Sequence, residues 1–226
     1  MGVAEAFIKA VNSMTPDVDD IYNGAKNETA ASWKTRQNAM VTGTGALSMA
    51  IPGAHIAAIA ADVAFVVNRM GVSTYGVGAI RGYDAGHGNI LEEEDFGAVL
   101  GYWADDEDLR QAMKGKGAAK LATKVGSKVA AKIIGKGAGK ILTKTMLASA
   151  GYLVGKKLGG KGLAKAAAKF VPKVAGKGVS GFVPFLGPAV SGGVNLWLLS
   201  TIMASADEFY QDKVALISRI ERGEFG

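Results

Sequence analysis

The residues with the clearest chemical potential are lysines that recur at every fourth position in the middle of the chain. They form two runs: Lys116, Lys120, Lys124, Lys128, Lys132, Lys136, Lys140 and Lys144, followed by Lys157, Lys161, Lys165, Lys169, Lys173 and Lys177. Each lysine ammonium is a compact cation at the end of a flexible stem. An ordered array of them is suited to binding anionic surfaces, such as lipid headgroups or phosphate backbones, without any covalent step.

Charges of opposite sign are segregated along the chain. Between Leu109 and Ala206 there are sixteen lysines, one arginine and no acidic residue, so this half carries a charge of +17. The rest of the chain has nine basic and twenty acidic residues, and therefore a charge of −11. Such a contiguous positive field attracts anionic polymers or membranes, while the acidic remainder favours solubility.

Other patterns that are associated with chemistry are weak. His87 lies near Asp84 and Glu92–Glu94, but this spacing matches no zinc or calcium motif. The glycines of TGTGALS follow no predicted strand and precede no GK[ST], which a phosphate-binding loop requires. The chain has no cysteine and none of the GxSxG, HExxH or CxxC motifs. We therefore predict a protein that is not an enzyme and that has neither a metal nor a cofactor.

The lysine repeat itself predicts helices. Four residues advance an α-helix by about 400°, so four successive lysines cover about 120° of its surface. The residues that follow the lysines form a parallel apolar stripe: Leu121, Val125, Val129 and Ile133. A ridge of small residues repeats at the same interval and allows close helix packing: Thr123, Ser127, Ala131, Gly135 and Gly139. Glycines and Pro172 are expected to divide the repeat into shorter helices.

Two stretches, residues 37–61 and 178–206, contain no Asp, Glu, Lys or Arg. Each is longer than the roughly 20 residues that cross a bilayer, but each also contains proline and glycine. We predict that each forms a turn followed by a helix, and that the two helices pack as a buried pair. A membrane-inserting hairpin is the alternative. The second helix is predicted to bury one face, formed by Leu199, Ile202, Ala206, Phe209 and Lys213.

These features predict an all-α fold, a compact multi-helix bundle with glycine-mediated close helix packing. A GxxxGxxxG run suited to such packing comprises Gly151, Gly155 and Gly159. We expect one domain over residues 1–226, made of an acidic and apolar half (20–108), a lysine segment (109–180) and a C-terminal apolar helix (181–226). The first residues predict a short amphipathic helix and not a secretion signal.

Two acidic clusters, Glu92–Asp95 and Asp105–Asp108, flank a predicted short helix with the sequence FGAVLGYW. The simpler interpretation, which we prefer on sequence grounds, is that they supply negative charge near helix N-termini. In the alternative interpretation they dock onto the lysine array of the same molecule or of a neighbour, which would permit a homo-oligomer.

Several apolar motifs occur in a characteristic order on either side of the lysine segment. They are TGTGALSMAIPGAHIAAIAADVAFVVNRM, RGYD (Arg81–Asp84), FGAVLGYW and VPFLGPAVSGGVNLWLLSTIMASADEFYQDK. Together they resemble the EcsC family of bacterial proteins over about residues 20 to 215. The resemblance implies a helical protein of the cytoplasm or of the membrane surface, and it supplies no catalytic residues. The family usually shows YGYD in place of RGYD and a less regular central segment, so the lysine array is interpreted as a specialisation.

The sequence thus favours a non-enzymatic, cytoplasmic protein that associates peripherally with anionic membrane lipids through its lysine array and that can self-assemble. Two alternatives remain open at this stage. One is a membrane-inserting or pore-forming effector, and the other is a nucleic-acid-coating basic protein. Nucleic acid is the poorer fit, because the lysine segment has one arginine, few aromatic residues for base stacking and many aliphatic residues.

Overall fold

Helices make up most of the chain that the computed structural model describes, which is residues 3–14, 16–45, 55–114, 165–170, 172 and 186–224. In chain order they are α1 (Val3–Asn12), α2 (Val18–Ala25), α3 (Ala30–Gly45), α4 (His55–Asp84), α5 (Asp95–Trp103), α6 (Glu107–Lys114) and α7 (Leu186–Glu221). Residues 165–170 are also helical. These ranges contain no strand, and the predicted all-α class is confirmed.

The two long helices α4 and α7, of 30 and 36 residues, pack against each other at the centre of the bundle. Helices α1, α2 and α3 lie against α4, while α3, α5 and α6 lie against α7. The predicted pairing of the two apolar helices is therefore confirmed. Within the described residues one segment, Val63–Asp84, is apolar and long enough to cross a membrane, and 72% of its most apolar stretch is buried inside the bundle.

The predicted buried face of α7 is also confirmed. Leu199, Ile202, Ala206, Phe209 and Lys213 are all at most 4% exposed. Their three- and four-residue spacing keeps them on the side of the helix that faces α4 and α5. The face therefore includes a lysine inside the core, and burial of an ammonium requires a partner.

Glycines let α4 approach its neighbours closely. A Cβ atom at Gly76 would overlap the Trp33 ring of α3, and a Cβ at Gly78 would overlap the Tyr210 ring of α7. Close packing through glycine thus occurs in α4, whose glycines the sequence analysis did not single out for this role. The run predicted for this role, Gly151, Gly155 and Gly159, lies outside the described residues.

Substitution of Gly78 by Ala should destabilise the fold, because the added methyl group collides with the Tyr210 ring. Overpacking of this kind costs about 1–3 kcal/mol. The matched control is Gly97→Ala on α5, where a Cβ meets nothing within 4 Å. There the better helix propensity of alanine should stabilise the protein by up to about 1 kcal/mol. Urea denaturation followed by circular dichroism measures both, and equal shifts would contradict the close approach at Gly78.

Candidate functional site: the anchor of the lysine segment

Two of the predicted anion-binding lysines, Lys165 and Lys169, lie in the part of the chain that the structure describes. The other twelve lie outside it: Lys116, Lys120, Lys124, Lys128, Lys132, Lys136, Lys140, Lys144, Lys157, Lys161, Lys173 and Lys177. Lys165 and Lys169 bound one complete unit of the four-residue repeat, KAAAK. This unit therefore tests how the repeat is built.

The repeat unit forms an amphipathic helical turn. The Lys165 and Lys169 side chains are 52% and 36% exposed. Ala166 and Phe170, the residues that follow them, are fully buried. The Phe170 ring lies 4.4 Å from the Phe7 ring of α1, centroid to centroid. The residues that follow the lysines thus face the bundle and the lysines face outward, as the apolar stripe predicts. Ala168, at the position of the predicted ridge of small residues, is exposed instead.

Both lysines contact the acidic turn between α5 and α6. The Lys169 ammonium lies 3.0 Å from Asp105 Oδ2 and also donates a hydrogen bond to the Trp103 carbonyl oxygen. The Lys165 ammonium lies 3.5 Å from Asp106 Oδ1. Asp106 is nearly fully buried, whereas the Asp105 side chain is 74% exposed. We call this set of contacts the segment anchor.

The end of α5 is built to hold a cation. Asp105 has a left-handed backbone conformation, with φ of 58°, which turns the chain sharply between α5 and α6. The carbonyl of Trp103 belongs to the last turn of α5, where the helix dipole is negative. The ammonium of Lys169 also lies 5.2 Å from the centre of the Trp103 ring, within cation–π range. A carboxylate, a carbonyl and an aromatic face therefore stabilise one lysine.

A second group of ion pairs lies beside the segment anchor, between α6 and α7. Arg110 Nη1 donates to Glu208 Oε1 over 2.8 Å, and Arg110 Nη2 donates to the Tyr102 carbonyl over 2.9 Å. Lys114 bridges Glu208 and Asp212 at 3.2 and 3.6 Å. The first two basic residues of the positive half of the chain are thus paired with acidic residues that follow it.

The two acidic clusters have different roles in the structure. Asp105 and Asp106 contact the lysine segment of the same molecule, so the sequence-based preference for a helix-terminal role alone was incomplete. In the other cluster, Asp95 begins α5 and is 1% exposed. Because it is buried, Asp95 is not part of an acidic surface that a neighbouring molecule could reach.

Asp95 instead forms a buried ion pair with Lys213. The Lys213 ammonium donates to both carboxylate oxygens, over 2.7 and 2.8 Å. The Tyr210 hydroxyl donates to Oδ2 over 3.1 Å, and the backbone N–H of Glu92 donates to the same oxygen over 3.0 Å. Burial raises the pKa of Asp95, although Lys213 and these hydrogen bonds oppose the shift. The position of Lys213 on the predicted buried face was the sequence signal for this pair, and its partner was not identifiable.

Arg81 of the RGYD motif joins α4 to α7. Its Nε and Nη2 atoms donate to the two carboxylate oxygens of Asp207 over 2.6 and 2.8 Å. The hydrogen bond to Asp207 raises the pKa of Arg81. A tyrosine at this position, as in the YGYD pattern, could not form such a paired contact, since it has one hydroxyl group. The arginine thus makes a two-bond ion pair with an aspartate that lies 126 residues away in the chain.

His87 links the loop after α4 to the C-terminal end of α7 through two polar contacts. Its Nε2 atom lies 3.1 Å from Ser218 Oγ and its Nδ1 atom lies 3.4 Å from Glu221 Oε1. Gly86 and Gly88, on either side, have φ of 77° and 73°, a conformation that favours glycine. Within the described ranges, no three His, Asp or Glu side chains are close enough to hold a metal ion.

Replacement of Lys213 by Met should leave the buried Asp95 carboxylate without its cation. Loss of one partner of a buried pair costs about 3–5 kcal/mol. Lys114→Met is the matched control, because Lys114 is half exposed and surface ion pairs contribute little to stability. Urea denaturation at pH 7 measures both variants, and equal losses would contradict the role of Lys213.

The loss in the Lys213→Met variant should also depend on pH. Without the lysine, the pKa of Asp95 rises further in the folded state, so the folded protein binds the proton more tightly than the unfolded chain. Stability then increases as the pH falls. The difference from wild type should be smaller at pH 5 than at pH 7.

We expect the protein to unfold at high pH, because three of its tyrosines are buried. Burial raises the pKa of Tyr75, Tyr102 and Tyr210 above their ordinary value, with nearby carboxylates adding to the shift. The unfolded chain loses these protons near pH 10, so stability is complete below that pH and decreases above it, by about 4 kcal/mol per pH unit for three groups. Tyrosinate absorbance at 295 nm for these three should appear only where helical circular dichroism is lost. Their ionisation in a folded protein would contradict this prediction.

Comparisons of the chain with protein-family models, with curated proteins and with solved structures find no match. The resemblance to the EcsC family consequently stays a prediction that rests on the order of the motifs.

Proposed function

We propose that this protein binds anionic membrane surfaces peripherally, from the cytoplasm, through the lysines of its lysine segment. The observation that carries the proposal is the geometry of the repeat unit at Lys165–Lys169. Its lysines face outward from a helical turn whose other face is packed into the bundle. If the other twelve lysines of the repeat follow the same pattern, they form rows of ammonium groups on folded helices, with aliphatic stems that lie along apolar surface.

The distribution of charge supports a partner outside the bundle. A solvated helix face ordinarily mixes lysine with glutamate at i,i+4 spacing, which stabilises the helix. The segment between Leu109 and Ala206 has no acidic residue for such pairs. Lys165 and Lys169 are paired within the molecule, with Asp106 and Asp105, so the proposed anionic partner concerns the other lysines of the segment. An anionic surface near the segment would lower the free energy of a +17 array by roughly 1 kcal/mol for each lysine that reaches the headgroups.

Peripheral binding agrees better with the fold than insertion of the described apolar helix. The Val63–Asp84 part of α4 is buried among its neighbours, and its exposure to lipid would require the bundle to open. The Asp95–Lys213 pair and the Arg81–Asp207 pair both link α7 to the α4–α5 region and oppose such opening. We therefore place the pore-forming alternative second.

Flotation with phospholipid vesicles tests the proposal. The protein should float with vesicles that contain 30 mol% phosphatidylglycerol and not with pure phosphatidylcholine, and 1 M salt should release it because the Debye length falls to about 3 Å. Lys124, Lys128 and Lys132 changed together to Gln should weaken binding about 10- to 100-fold. The matched control changes the same number of lysines outside the segment, Lys9, Lys26 and Lys34, and should have a much smaller effect.

Two further measurements separate the alternatives. Dye-loaded vesicles should stay sealed, since a peripheral protein does not perforate the bilayer, and rapid leakage would favour a pore-forming protein. A gel-shift series with DNA at rising salt should show weaker binding than the anionic vesicles at the same ionic strength. Equal flotation with anionic and neutral vesicles, or none with either, would overturn the proposed function.

A further inference from the structure

Part of the outer face of α7, between Gly193 and Ala204, is exposed and has no charge. Leu196 and Trp197 are 37% and 36% exposed, and Gly193 and Ala204 on the same side are also exposed. From Gly193 to Ala206 the helix has no charged residue. The outer face of a helix in a soluble bundle ordinarily has charged or polar residues. This face is therefore unusual for a surface that contacts only water.

This uncharged face adjoins the segment anchor. The Trp197 ring lies 6.4 Å from the Trp103 ring, at an interplanar angle of 61°, which is an edge-to-face contact. Trp103 in turn contacts the Lys169 ammonium through its ring and its carbonyl. Its indole N–H donates to Thr201 Oγ1 over 2.9 Å, which fixes it against α7. Trp197, Trp103 and Lys169 consequently form a continuous chain of contacts through the buried Trp103 ring.

The charges that follow this face along α7 are neutralised within the molecule. Asp207, the first acidic residue after Ala206, forms the two-bond pair with Arg81. Glu208 is paired with Arg110 and Lys114. A negatively charged surface that approaches Leu196 and Trp197 would thus meet ion pairs on both sides, Lys169 with Asp105 on one and Asp207 and Glu208 with their cations on the other. Because these carboxylates are neutralised and the +17 segment begins nearby in the chain, the charges around this face are compatible with an anionic partner.

We propose that Leu196 and Trp197 insert into the boundary between headgroups and acyl chains of an anionic bilayer when the lysine segment binds it. This inference rests on the proposed function and adds the orientation of the protein at the membrane. Tryptophan favours this boundary because its ring is apolar and its indole N–H is polar. A stable protein complex buries roughly 800 Å² on each partner. Leu196 and Trp197, each about one-third exposed, offer a much smaller area, so lipid fits this face better than a protein partner does.

Tryptophan fluorescence can test the insertion directly, since the chain has three tryptophans: Trp33, Trp103 and Trp197. Trp33 and Trp103 are 3% and 1% exposed, so Trp197 is the one that lipid can reach. Phosphatidylglycerol vesicles with bromine on the upper acyl chain should quench the wild-type emission. The Trp197→Phe variant should lose most of the quenching, whereas the Trp33→Phe control should keep it.

A pair of double variants tests the energetic contribution. Leu196→Gln with Trp197→Gln should weaken flotation with anionic vesicles about 10- to 100-fold, from the loss of apolar burial. Tyr83→Gln with Met40→Gln changes two other exposed apolar side chains, 50% and 44% exposed, and should leave binding unchanged. Circular dichroism of all variants checks that the helical content is retained.

The outcomes distinguish this inference from the proposed function. Salt-sensitive flotation without bromine quenching, or with quenching that survives Trp197→Phe, would overturn the insertion of this face and leave lysine-driven binding in place. Equal effects of the two double variants would also overturn it. Failure of the wild-type protein to float with anionic vesicles would overturn both proposals.

Discussion

The contact between α4 and α7 is the constraint on which the rest of the structure depends. At Gly78 the absence of a side chain lets the Tyr210 ring lie directly on the α4 backbone. The Tyr210 hydroxyl then reaches Asp95, which also receives the Lys213 ammonium. One close approach between two apolar helices thus fixes the position of a buried charge pair, and that pair fixes the first residue of α5.

The position of α5 in turn determines where the lysine segment can attach. Asp95 holds the N-terminal end of α5 inside the core, and the C-terminal end emerges at Trp103 and Asp105. The negative end of the helix dipole, the Asp105 carboxylate and the Trp103 ring are therefore positioned by core contacts that do not involve the lysine segment. An anchor that is organised by the core needs little reordering to bind Lys169, which reduces the entropy lost on attachment.

Apolar periodicity was sufficient to predict the all-α class, the pairing of the two apolar helices and the buried face of α7. These features follow from residues close together in sequence, such as Leu199, Ile202 and Phe209. The partners of Lys213 and Arg81 were not predictable, because Asp95 and Asp207 lie 118 and 126 residues away and many other carboxylates could have served. No sequence period links the two residues of such an ion pair, so the pairs can be identified only from the folded structure. The outward position of Lys165 and Lys169 followed from the repeat, but their attachment to Asp105 and Asp106 did not.

The separation of α4 and α7 in the chain has a consequence for the order of folding. About one hundred residues lie between the end of α4 at Asp84 and the start of α7 at Leu186. At a synthesis rate of about 5–20 residues per second, the start of α7 is made about 5–20 s after the end of α4. During that interval the part of its surface that later contacts α7 is open to solvent and to other chains, while the lysines are already emerging. Non-local pairing of this kind also slows refolding, because a large loop must close before the core contacts form.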